Sequence, residues 1–195
     1  MEQDPKRLVI EKWQPEHEQL SFVGKAMPTD DSTRYDMHAI RSEQADKDGM
    51  VRIVATDGKR LHIATVAQRD NIFDGRTVTD WKVLSLTRQV AILESKQDTC
   101  FPDTYAEVLP TDTAGHKSLQ YFSLPHTKAN SKRTSQAICE LVRTFDCTVN
   151  LQYLADIAPS SGGIPTDWVV TQETTGKPLI FENCSKIAAI MPMSD

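Results

Sequence analysis

The chain has 195 residues, of which 39% are hydrophobic and 25% charged, with a mean hydropathy of -0.42; this is ordinary for a soluble globular protein able to bury a sizeable core. No apolar run approaches the roughly 18 residues of a membrane span, and the opening residues Met-Glu-Gln-Asp-Pro are no signal peptide, so a cytoplasmic protein is expected. The net charge of -5 argues against non-specific affinity for phosphates, because that affinity depends on how many Lys and Arg replace counterions.

In chain order, Arg7 to Glu11 is a short apolar alternation suited to a first strand. Pro15 sits at a plausible helix start, and the spacing of Leu20, Phe22, Val23, Ala26 and Met27 predicts a helix over His17 to Met27, stopped by Pro28. After the polar loop 29–33, Arg34 to Glu43 reads as a strand with Tyr35, Met37 and Ala39 on one face, and Asp46 to Gly49 turns it back. Two β-rich arms, Met50 to Ala55 and Leu61 to Val66, then flank Thr56, Asp57, Gly58 and Lys59. A short polar side chain followed by glycine between such arms is the strongest local hairpin signal in the chain.

Val78 to Leu93 is apolar enough for one or two strands, and Leu119 to Leu124 for another. Ser131 to Phe145 predicts an amphipathic helix with Ile138, Leu141, Val142 and Phe145 on one side. Lys128, Lys132 and Arg133 at its start are the best candidates for a phosphate-facing patch, the alternative being a solvated helix start. Cys147 to Asn150 reads as a strand, Leu151 to Ala158 as a short helix, and Trp168 to Gln172, Pro178 to Asn183 and Lys186 to Met191 as three closing strands. Strand, helix and three strands thus occur twice. Cys100, Cys139, Cys147 and Cys184 lie too far apart for a CxxC pair, so they read as free thiols with no disulfide framework and no structural metal.

Three segments carry a resemblance. Residues 55–61, Ala-Thr-Asp-Gly-Lys-Arg-Leu, resemble the Ala-Thr-Asp-Gly-His-Arg-Leu signature of the bacterial DNA sliding clamp, the β subunit of DNA polymerase III. Residues 101–110, Phe-Pro-Asp-Thr-Tyr-Ala-Glu-Val-Leu-Pro, are similar to the segment where the clamp's second domain passes into its third. Residues 188–193, Ala-Ala-Ile-Met-Pro-Met, look like the family's Val-Val-Met-Pro-Met ending. The resemblance implies an α+β fold of the DNA-clamp type, with two antiparallel sheets flanked by two pseudo-twofold helices. It further implies a shortened, single clamp-like domain over 1–195, with half-repeats of about 1–95 and 111–195 joined through an insertion.

The same resemblance implies a site. In clamps, a hydrophobic groove at that domain junction binds linear peptides of polymerases and other clients. The matching positions here are Arg34, Thr56, Gly58, Lys59, Arg60, Leu61, Pro102, Val108, Ala189, Ile190, Met191, Pro192 and Met193. Met and Leu would supply an adaptable apolar pocket, with Arg34 and Arg60 at its rim; the alternative is that Leu61 and Met191 match because they are fold core. Lys59 in place of histidine, Glu107 where a basic residue is common, an extra Thr104, and Ser194-Asp195 at the end depart from the family, so a different peptide preference is expected.

Arg34-Tyr35 falls on the family's Arg-Tyr pair, which places Tyr35 with Lys128, Lys132 and Arg133 as candidate DNA contacts. Against DNA tracking, the first helix offers only Lys25 and the Leu151 to Ala158 helix no Lys or Arg. A clamp-like binding protein of replication or repair is therefore ranked above a self-associating ring encircling double-stranded DNA. No nucleophile elbow, phosphate loop, HExxH or carboxylate cluster is present, so no catalytic residue, metal or cofactor is assigned and an enzyme ranks last.

Overall fold

The computed structural model describes residues 6–28, 38–45, 49–69, 72–73, 77–96, 101–109, 116–124, 132–158 and 166–193. The chain divides into two compact units, Met1–Asp103 and Thr104–Asp195.

The first unit contains β1 (Arg7–Glu11), α1 (Pro15–Gly24), β2 (Ala39–Gln44), β3 (Met50–Thr56), β4 (Arg60–Ala67), β5 (Thr79–Leu86) and β6 (Val90–Lys96). Its strands run antiparallel in the order β1-β6-β5-β2-β3-β4. The expected hairpin is β3 and β4, with Thr56 opposite Leu61 at its tip. The alternation of buried and open positions in β3 ends at Ile53, and Arg60 to Ala64 of β4 are all buried. The cause is α1, which packs on this end of the hairpin and buries Leu20, Phe22 and Val23.

Proline at the first turn opens α1, where its missing N–H costs nothing. The expected continuation to Met27 is replaced by a tightened turn: Lys25, Ala26 and Met27 donate their N–H groups to the carbonyls of Phe22, Val23 and Gly24, the i to i-3 pattern of a fraying helix end. Of the strand expected over Arg34 to Glu43, the part from Ala39 forms β2 and extends to Gln44; Arg34, Tyr35 and Met37 lie outside the described residues.

The second unit contains β7 (Lys117–Leu124), α2 (Lys132–Phe145), α3 (Leu151–Ile157), β8 (Thr166–Gln172), β9 (Leu179–Glu182) and β10 (Lys186–Ile190), the strands antiparallel in the order β10-β9-β8-β7. Phe122, Trp168 and Phe181 form its aromatic core, with ring centroids 5.9 and 6.5 Å from Phe181. Leu141, Phe145 and Leu154 of the two helices are also fully buried.

The strand expected at Cys147 to Asn150 is an irregular segment instead. Asn150 caps α3, its Oδ1 accepting from the N–H of Gln152 at 2.8 Å, and the Thr148 carbonyl accepts from the N–H of Met193 at 2.8 Å. The Thr148 carbonyl, and the Asn150 carbonyl that accepts from Leu154 N–H at 3.1 Å, are thereby taken from any ladder. Cys139, Cys147 and Cys184 are free thiols. No helix among the described residues is long and apolar enough to cross a membrane.

Candidate functional site

The tip of the β3–β4 hairpin is a closed hydrogen-bond system. Gly58 adopts a φ of +82°, a conformation that glycine reaches without the Cβ penalty of other residues. Asp57 Oδ1 accepts from the N–H groups of Lys59 and Arg60 at 2.9 and 3.0 Å. Thr56 Oγ1 donates to the Arg60 carbonyl at 2.7 Å and accepts from Gly58 N–H at 3.0 Å. Arg60 gives its Nε–H to Asp57 Oδ2 at 3.0 Å and is only 8% exposed. The guanidinium expected at a groove rim thus braces its own turn, while Gly58 and Lys59 are open to solvent.

Behind the turn, His62 is fully buried and stacks on Phe22 of α1 with centroids 4.6 Å apart. Its Nδ1 is 2.8 Å from the Phe22 carbonyl; a carbonyl only accepts, so Nδ1 carries the proton. Nε2 is buried without a hydrogen-bond partner. Desolvation brings the imidazole pKa down to about 3, with Arg60 and Lys25 pushing the same way and the Phe22 bond opposing. A neutral ring therefore ties helix to hairpin.

Further along the same sheet, Arg41 on β2 grips Asp80 on β5 through Nε and a terminal nitrogen at 2.8 and 3.0 Å. Its guanidinium carbon lies 4.7 Å from the centre of the Phe101 ring. Arg41, Asp80 and His62 are polar residues set within otherwise apolar strands.

In the second unit, Ala189 and Ile190 are buried whereas Met191 and Met193 are 41% and 57% exposed. The backbone of this tail is fixed by the bond from Met193 to Thr148. Pro192 and Pro102 are partly open, and Val108, at the end of a short 3-10 helix over Asp103–Val108, is exposed. Leu61 is buried in the first unit.

The candidate DNA contacts are thinner. Lys132 is exposed at the start of α2, while Tyr35, Lys128 and the side chain of Arg133 lie outside the described residues, as does Arg34 of the peptide list. Among the described residues, no group of three or more His, Cys, Asp or Glu is placed to hold a metal ion.

No protein-family model matches the sequence, and no curated protein matches it. Solved structures do. The Caulobacter crescentus polymerase III β structure superposes with a TM-score of 0.62 at 15% identity, over 100% of this chain and 68% of that one. The fold is that of the bacterial DNA sliding clamp. The DNA polymerase III β subunit of Thermotoga maritima gives 0.61 at 13% identity, over 100% and 67% of the two chains. A Caulobacter crescentus β clamp with a polyethylene glycol bound at a region proposed to tether β-motifs gives 0.59 at 14% identity, over 97% and 65%. At such identities the shared property is the clamp fold, and the three sequence matches to clamps lie in the hairpin tip, the segment 101–110 and the tail.

Proposed function

We propose that this chain is a non-enzymatic, clamp-like binding protein of DNA replication or repair, acting in the cytoplasm and holding linear peptide motifs of polymerase-type clients. The two units are read as the half-repeats of one clamp-like domain. The observation that carries the proposal is the tail: Met191 and Met193 are exposed on a backbone fixed by a hydrogen bond to Thr148. Methionine is flexible and polarizable, which suits contact with varied apolar anchors. An extended peptide is typically read through its backbone and through alternate side chains.

In this reading Met191, Pro192 and Met193 contact the ligand. Ala189 and Ile190, buried in β10, support them, and the clamp resemblance adds Arg34, Thr56, Gly58, Lys59, Arg60, Leu61, Pro102 and Val108 to this role. The departure at Lys59 moves peptide preference away from that of an ordinary clamp. Truncating a central apolar anchor typically costs ~2 kcal/mol or more of binding, whereas rim charges mostly affect the on-rate. Met193→Ala should therefore weaken a clamp-motif peptide by more than about tenfold, and Lys59→Ala by much less. Calorimetry showing unchanged affinity for Met193→Ala would refute the groove and leave the fold alone.

A further inference from the structure

We infer that the corner formed by Lys12, Trp13 and Arg88 is a stacking site for single-stranded nucleic acid. Two tight turns of the first unit build it. Between β1 and α1, the Gln14 N–H donates to the Glu11 carbonyl at 2.9 Å and Gln14 Oε1 accepts from the Glu11 N–H at 2.7 Å. Lys12 and Trp13 therefore occupy the centre of a turn closed by backbone and side chain together. Between β5 and β6, the Thr87 N–H donates to the Val90 carbonyl at 3.0 Å, and Thr87 Oγ1 accepts from the N–H groups of Gln89 and Val90 at 3.3 and 3.1 Å. His17 Nε2, 3.0 Å from the Thr87 carbonyl, fastens this second turn to α1. The Lys12 N–H donates to the Gln89 carbonyl at 2.8 Å and joins the two turns. Trp13 is 78% exposed, and Lys12, Arg88 and Gln89 are exposed beside it on the same fixed backbone.

The side chains select the ligand. Trp13 gives its indole N–H to Glu11 Oε2, so the ring is held in place and its exposed face, with no donor left to offer, is what a ligand meets. Among the described residues neither Lys12 nor Arg88 is in an ion pair, and the carboxylate of Glu11 is turned to the indole. A cationic guest over the ring would be repelled by both neighbours. An acidic peptide satisfies the charges and leaves the indole uncovered, and a duplex brings phosphates while keeping its bases stacked on one another. A single strand supplies both parts, an unstacked base for the indole and a phosphate on either side for Lys12 and Arg88. Because both turns are already closed, little backbone ordering is charged against binding. The site shares no residue with the proposed peptide groove and does not depend on it.

The test is fluorescence anisotropy of a labelled oligothymidylate titrated with the full chain at low salt. Trp13→Ala should weaken binding by about tenfold, and an abasic strand of equal length should bind the unmutated chain as weakly. Lys12→Ala and Arg88→Ala should each have a smaller effect and reduce the log-log salt slope by about 0.7. Binding should quench tryptophan emission in the unmutated chain and not in Trp13→Ala. Circular dichroism checks that each variant is folded. A chain that does not bind the oligothymidylate, equal affinity for the abasic strand, indifference to Trp13→Ala, tighter binding of the corresponding duplex, or competition by polyglutamate as effective as that by unlabelled oligothymidylate would each overturn the inference.

Discussion

His62 makes the stability of the first unit pH-dependent in a defined window. Its folded pKa is about 3, against about 6.5 for an unperturbed imidazole, so between these values the unfolded chain binds a proton that the folded chain refuses. The contribution is fully present above pH ~6.5 and is lost as pH falls toward 3. Each pH unit within that window is worth ~1.4 kcal/mol, so from pH 7 to pH 5 the loss is on the order of 2 kcal/mol. His62→Phe keeps a ring of similar size to stack on Phe22 and removes the titration, at the cost of the bond to the Phe22 carbonyl, about 1 kcal/mol. Urea unfolding at pH 7 and pH 5, compared between the two proteins, cancels the carboxylates common to both. The unmutated chain should lose roughly 2 kcal/mol more than His62→Phe over that interval. Equal losses would mean that His62 is solvated or already charged in the fold.

Asp57→Ala removes the acceptor for two turn N–H groups and for the Arg60 Nε–H. Breaking this buried ion pair should cost about 3 kcal/mol, read as a lower urea midpoint. Asn150→Ala should destabilise the second unit by about 1 kcal/mol through loss of the α3 cap, visible as faster amide exchange at Gln152. Binding to linear duplex DNA should be weak and should fall with a log-log salt slope of about -0.9 per phosphate contact; sub-micromolar affinity at physiological salt, measured by fluorescence anisotropy, would contradict the charge argument.

The hairpin was legible because its determinants are local: Asp57 and Gly58 carry the turn chemistry within the turn itself. The start of α1 was legible for the same reason, Pro15 being tolerated in the first turn and poorly elsewhere. What escaped were contacts between residues far apart in sequence. Arg41 meets Asp80 across 39 positions and His62 meets Phe22 across 40, and no local pattern couples them. At 147–150, Cys-Thr-Val favours a strand by propensity, yet the Asn150 cap and the Met193 bond to Thr148 take its polar groups. In the tail, Met191 and Met193 are exposed while Ala189 and Ile190 are buried, a difference that the run of apolar residues does not reveal. The buried state of Arg60 was not legible, because its exposure depends on long-range packing such as that of α1 on β4.

Charge placement decides what a clamp-like fold can hold. On α1, Glu16 is buried against Arg69 at 3.2 Å, His17 Nε2 contacts the Thr87 carbonyl at 3.0 Å, and Glu18 is exposed. The helix thus directs two polar groups to its own unit and shows solvent an acid. On α3, Gln152 donates to Asp156 at 3.0 Å, and the helix Leu151–Ile157 contains no Lys or Arg. Neither helix can replace a row of counterions, and counterion release supplies essentially all non-specific affinity for a duplex. Under the proposed reading, ligand binding rests instead on the exposed methionines of the tail, which offer dispersion and apolar burial and need no positive charge.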